Sequence, residues 1–184
     1  MLATLKDIFK NTGLKFLALS LLLIVVDQFT KLWILNNFAL YEDVNVLPIF
    51  DLTYVRNYGA AFSFLSDAGG WQHYFFTTIA LVISVLLIYW MYKTPSNKSL
   101  LLSSYALILS GAIGNVMDRM NYGYVVDFLH FYYQNWHFPA FNVADMAISI
   151  GAGLLILDAI FDHRKEQASS KNKQTENDSS EQVK

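Results

Sequence analysis

LLLSSYALILSGAIGNVMDR, residues Leu100–Arg119, is the stretch that decides what kind of molecule this is. From Leu100 to Met117 it carries no charge, and then it meets Asp118 and Arg119 side by side. An uncharged run of this length is close to what a helix needs to cross a bilayer. Ser110, Gly114 and Asp118 fall on one face of that helix, and residues this small let a second helix approach closely. Three more apolar runs flank it, which places spans at about 14–36, 73–92, 100–118 and 141–161.

The rest of the composition agrees. The chain is 54% hydrophobic and 15% charged, whereas about a quarter charged is usual for a soluble domain. The basic residues are unevenly spread. Lys6, Lys10 and Lys15 precede the first span, Lys93 and Lys98 separate the second and third, and Arg164, Lys165, Lys171, Lys173 and Lys184 follow the fourth. By the positive-inside rule both termini are expected in the cytoplasm, with 36–73 and 119–140 facing outward. The first span is not expected to be a cleaved leader, because it is too long and Asp27 and Lys31 interrupt it. There is no cysteine, so neither disulfides nor thiol chemistry can contribute.

Between the first two spans, Val44, Val46, Ile49, Leu52, Tyr54 and Val55 form β-prone stretches punctuated by Pro48, Gly59 and Gly69–Gly70. They predict a small outward-facing sheet, able to take an extended peptide as an added strand. The segment 119–140 is rich in aromatic rings, which predicts a short helix in the membrane interface. From Lys165 the sequence loses its apolar content, so 165–184 is expected to be a disordered cytoplasmic tail. The fold class is therefore an all-α integral membrane protein with four transmembrane helices, a small outward sheet and an interfacial helix.

Four aspartates lie at or beside span ends on one side of this topology: Asp27, Asp118, Asp127 and Asp145. A charge at membrane depth costs ~2.5–3.5 kcal/mol on insertion scales, so each needs an explanation. Asp27 and Lys31 are one helical turn apart and can neutralise each other. Asp118 has Arg119 beside it, which suits a structural brace. Asn142 reads as an N-cap with Asp145 three residues on, as in a capping box. Asp127 lies in the apolar run Tyr124–Leu129 with no lysine or arginine within four residues, and Asp145 has none nearby either. Two such carboxyls at one membrane face can share a proton and serve as base and acid together. Within the pair, the helix dipole favours charge on Asp145, and the apolar run favours the neutral form of Asp127.

Two other readings fit the acids less well. A proton-coupled transporter places its sites near the midplane between repeats, and no internal repeat is present. In a non-enzymatic scaffold the acids would be caps and braces, and Asn would be tolerated at both Asp127 and Asp145. Ser63 and Ser66 have no evident base, and His73, His130, His137 and His163 are too scattered for a metal centre.

Five motifs occur in order: Asp27-Gln28-x-Thr30-Lys31, Asn57-x-Gly59-Ala60-Ala61-Phe62, Gly114-Asn115-x-x-Asp118-Arg119, Val125-Val126-Asp127-Phe128 and Phe141-Asn142-x-Ala144-Asp145. Together, over about 14–161, they resemble the bacterial lipoprotein signal peptidases, or type II signal peptidases. The resemblance implies that 1–164 form a four-helix intramembrane aspartyl peptidase domain of the inner membrane. Such an enzyme removes the signal peptide of a prolipoprotein just before a diacylglyceryl-modified cysteine. It further implies a catalytic pair at Asp127 and Asp145, with Asp27, Lys31, Asn57, Gly59, Asn115, Asp118, Arg119 and Asn142 supporting the site or binding substrate. No metal or other cofactor and no nucleic acid is expected. The expected partners are prolipoproteins and membrane lipids, and the expected state is a monomer.

Overall fold

The structure is a computed structural model and describes residues 11–59 and 69–181. Ala60–Phe62 of the second motif, Ser63, Ser66, Lys6 and Lys10 lie outside these residues, as does 182–184. A short 3-10 turn, Gly13–Phe16, leads into α1 (Leu17–Asn37). There follow β1 (Asp43–Leu47), β2 (Phe50–Asn57), α2 (Trp71–Lys93), α3 (Ser99–Tyr122), β3 (Val125–Tyr133), β4 (Trp136–His137) and α4 (Val143–Glu181). Among the described residues, four segments are long and apolar enough to cross a membrane: Gly13–Asn37, Trp71–Lys93, Ser99–Tyr122 and Val143–Lys165.

The helix expected to decide the fold is the central one. In the most apolar window of α3, 56% of residues are buried, against 17–22% in the other three spans. α1, α2 and α4 each pack on α3 and turn rows of Leu, Val, Ile and Phe outward, as helices in lipid do. Small residues make the α3–α4 approach possible. A Cβ added at Gly111 would lie 2.2 Å from the Ala144 carbonyl oxygen, and one at Gly151 would lie 2.9 Å from that of Ser104. One end of the bundle is plugged by Leu87, Met91, Leu102, Ala106 and Leu109.

At the other end sits an antiparallel sheet in the order β1-β2-β3-β4. Ile34 of α1 packs with Tyr54, Val126 and Phe128 beneath it. The sheet expected from 36–73 is present as β1 and β2, and β1 forms a fully exposed edge. The interfacial helix expected over 119–140 is corrected to strands. Gly123, with φ of 80°, ends α3 in the left-handed conformation, and the next residues pair with β2, setting Asn57 opposite Val125 and Val55 opposite Asp127. Val125, Val126 and Phe128 are buried, so these apolar residues form part of the core. The outer rings, such as Tyr133 and Trp136, are exposed. α4 is helical to Glu181, where composition alone predicts an unstructured segment from Lys165.

Candidate active site

Two polar clusters meet under the sheet. In the first, Asp27 and Lys31 are each 1% exposed and lie one turn apart on α1. The Lys31 ammonium is 2.9 Å from Asp27 Oδ2, 2.9 Å from Asp118 Oδ2 and 3.0 Å from Asn115 Oδ1. An ammonium has three N–H donors, and each finds an acceptor. Asp118 also accepts from Gln28 Nε2 at 2.9 Å and from the Val126 N–H at 3.1 Å. Asp27 Oδ1 accepts the Ala144 N–H at 2.8 Å. The cluster therefore ties α1, α3, β3 and the start of α4 together.

The cation that Asp118 contacts is Lys31, not the adjacent Arg119. Successive side chains on a helix diverge by about 100°, so sequence neighbours seldom meet. Arg119 turns toward the β2 end, where Nη2 donates to the Gly59 carbonyl at 2.9 Å and the guanidinium lies over the Phe76 ring. Gly59 also donates its N–H to Asn57 Oδ1 at 2.9 Å, so both of its backbone groups are engaged.

In the second cluster, Asp127 comes from β3 and Asp145 from the first turn of α4. Asn57 Nδ2 donates to Asp127 Oδ2 at 2.9 Å, and Asn142 Nδ2 to Asp127 Oδ1 at 2.6 Å. Asn115 Nδ2 donates to Asp145 Oδ1 at 2.8 Å. Among the described residues neither carboxylate forms an ion pair. The expected capping box is half realised: Asn142 Oδ1 accepts the Asp145 N–H at 2.9 Å, while the Asp145 carboxylate faces Asn115. Burial, reinforced by the nearby Asp145 charge, pushes the Asp127 carboxyl up to about 7. A carboxyl at that value can both give and take a proton near neutrality.

Three cavities converge here. One, about 380 Å³, is bordered by Asp127, Asp145, Asn57 and the Phe138–Phe141 segment. A second, about 290 Å³, opens among α2, α3 and α4 along Phe76, Ile79, Ile83, Ile108 and Ala112, and reaches Asp145. The third, about 370 Å³, is the most polar of the three and lies over the sheet beside Asp43, Arg56, His130 and His137. All three include Asn57. Two apolar clefts and a more polar one meet at this pair of carboxyls, a setting with room for a chain that is part lipid-soluble and part hydrated.

Residues 19–161 match the family described as signal peptidase (SPase) II. The chain belongs to the signal peptidase II family. The lipoprotein signal peptidase of Alteromonas mediterranea is 49% identical over 179 residues, covering 96% of this chain and 98% of its own. That of Shewanella pealeana is 55% identical over 150 residues, or 82% and 88% of the two chains. A bacterial membrane enzyme solved by the in meso method at 2.3 Å resolution superposes with a TM-score of 0.73 at 30% identity, over 81% of this chain and 89% of that one. In this signal peptidase II relative, Asp27, Lys31, Asn57, Asn115, Asp118 and Asn142 lie in the two clusters, and Gly59 and Arg119 form a separate contact that joins the second of them through Asn57. Gln28 belongs to the first motif but was given no role by it; the structure has it donating to Asp118 Oδ1. Arg56 is likewise tied down unexpectedly, donating to Tyr54 Oη at 3.0 Å with its guanidinium 4.8 Å from the Tyr124 ring centre.

Proposed function

We propose that this chain is an intramembrane aspartyl endopeptidase in which Asp127 and Asp145 share one proton and one water. The ionised carboxyl takes a proton from water, whose oxygen adds to the scissile carbonyl carbon. The protonated carboxyl gives its proton to the carbonyl oxygen. When the tetrahedral adduct collapses, a proton passes to the amine nitrogen as the C–N bond breaks, and the pair returns to its starting state. The observation that carries this reading is the contrast in compensation: of four aspartates under the sheet, Asp27, Asp118 and Asp127 buried and Asp145 half-buried at the cavity wall, the two bordering the cavity form no ion pair among the described residues.

The substrate is a prolipoprotein cut just before its diacylglyceryl-cysteine. The apolar cleft among α2, α3 and α4 suits a signal peptide's apolar segment, and the polar cleft over the sheet suits the hydrated mature chain. The exposed edge β1 offers the mature chain backbone pairing. Both termini lie in the cytoplasm and the dyad near the outer face of the inner membrane, as the lysine and arginine distribution supports. The enzyme acts as a monomer among lipids. A transporter would need a polar route through the bundle, and the apolar plug Leu87–Met91–Leu102–Ala106–Leu109 speaks against one.

Two acyl chains on the cysteine hold the scissile bond at dyad depth, each buried CH₂ contributing ~0.8 kcal/mol. Purified enzyme is compared on lipidated and unlipidated precursor in matched detergent. The expected result is a loss in kcat as well as in KM for the unlipidated form, because remote binding energy positions the reacting bond. Equal kcat/KM for the two would reject this substrate assignment.

A further inference from the structure

A carboxamide donates from one side and accepts from the other, and half a turn exchanges the two. Three asparagines surround the proposed dyad, and each is held at its oxygen by a group that can only donate. The Gly59 N–H meets Asn57 Oδ1 at 2.9 Å and the Asp145 N–H meets Asn142 Oδ1 at 2.9 Å. The third is Asn115, whose Oδ1 takes the Lys31 ammonium at 3.0 Å. Neither a backbone N–H nor an ammonium has a lone pair to offer, so in each case the amide atom it faces must be oxygen. The NH₂ groups then have one direction left, and all three point at the dyad, at 2.9, 2.6 and 2.8 Å.

The two dyad members are not treated alike. Asp127 receives a donor on each oxygen. Asp145 receives one on Oδ1, and among the described residues no hydrogen bond reaches Oδ2. We propose that Lys31, besides neutralising Asp27 and Asp118, is a positioning residue: it holds the Asn115 carboxamide with its donor toward Asp145 Oδ1, which leaves the other oxygen of Asp145 to give and take the dyad's proton. Asn142 Nδ2 reaches Asn115 Oδ1 at 3.4 Å, a longer contact acting in the same direction. Without the ammonium, Asn115 can turn its oxygen to Asp145, and the proton is drawn to the wrong side of that carboxyl. The inference rests on the dyad reading above.

Asn115→Asp keeps the shape and gives Lys31 a carboxylate, but sets an acceptor against Asp145. The lock predicts a kcat loss of ~100-fold, the scale of a lost hydrogen bond to a charged group, with KM and melting temperature close to wild type. Lys31→Gln, whose amide can both give and accept, should also lose kcat at unchanged KM. Adding Asn115→Ala to Lys31→Gln should cost little beyond Asn115→Ala alone, because the lysine acts through the asparagine. In ¹⁵N-asparagine-labelled wild-type enzyme, the side-chain NH₂ signal of Asn115 should shift as the dyad titrates; this measurement needs no variant that might misfold. Asp145→Asn is the control. If it is inactive while Asn115→Asp stays within about tenfold of wild type, or if the double-variant losses multiply, or if the Asn115 signal ignores the titration, the lock is overturned and the dyad stands. If Asp145→Asn is active, the dyad reading itself has failed.

Discussion

Asp27 and Asp118 share one ammonium, whereas Asp127 and Asp145 share three carboxamides. The first pair is deeply buried, and Lys31 lies within 3 Å of both carboxylates. In the second pair Asp127 is buried and Asp145 half-buried, their hydrogen-bond partners are neutral and a cavity opens beside them. A full counter-charge ties a carboxylate into an ion pair and makes it a strut. Neutral donors hold a carboxyl in place without deciding its proton, and that freedom is what acid–base chemistry requires.

The largest effect that can break this comparison is on activity. Asp127→Asn and Asp145→Asn are each expected to lower cleavage by on the order of 10³-fold while the protein still inserts and folds, since each removes one of two coordinated proton transfers. Residual activity within about tenfold of wild type in either variant would erase the distinction between the pairs.

Lys31→Met tests the other side. It leaves Asp27 and Asp118 without their cation, and breaking a buried ion pair costs ~3–5 kcal/mol, so the melting temperature in detergent should fall by on the order of 10 °C. A wild-type melting temperature would show that the first cluster is not a strut. Asp118→Asn is expected to act in the same direction and to reduce activity with it.

A smaller effect sharpens the contrast through pH. The Asp127 carboxyl is pushed up to about 7 by burial, from an ordinary 3.8. The folded state therefore binds this proton more tightly than the unfolded chain does. The resulting stabilisation is fully present below about 4 and is lost as pH rises through about 7. Thermal scans from pH 5 to pH 8 should show wild type losing stability relative to Asp127→Asn. Parallel curves would mean that Asp127 titrates alike folded and unfolded.

The smallest expected effect belongs to an exposed pair far from both clusters. Lys98 Nζ lies 2.7 Å from Asp162 Oδ2, but both side chains are more than 40% exposed. Lys98→Ala should change stability by under about 1 kcal/mol, and salt should mask even that. A large loss would show that charge compensation at the surface matters here as much as it does in the buried clusters.

The spans were legible because length and apolarity suffice to mark them. The proposed dyad was picked out by a local absence, the lack of a lysine or arginine near Asp127 and Asp145, and the two residues border one cavity. What sequence could not show was which partners come from afar. β3 was expected as a helix because its aromatic rings suggested an interface anchor. Its strand character depends on β2, about 70 residues earlier, and on burial of Val125, Val126 and Phe128. Asp118 was matched with Arg119 by adjacency, but its cation stands on another helix. The Lys31–Asn115 contact joins residues 84 apart, and no spacing rule reaches that far.

The hydrogen bond from Ala144 N–H to Asp27 Oδ1 joins residues 117 positions apart, the first membrane span to the start of the last. Asp145 is the very next residue. During biosynthesis α1 enters the bilayer long before α4, so the acceptor waits for a donor not yet translated. Until the fourth helix docks, Asp145 has neither its place beside Asp127 nor its bond from Asn115. On the proposed dyad, a ribosome-bound fragment holding three helices lacks one of the two carboxyls and is expected to be proteolytically silent until the fourth helix has been threaded.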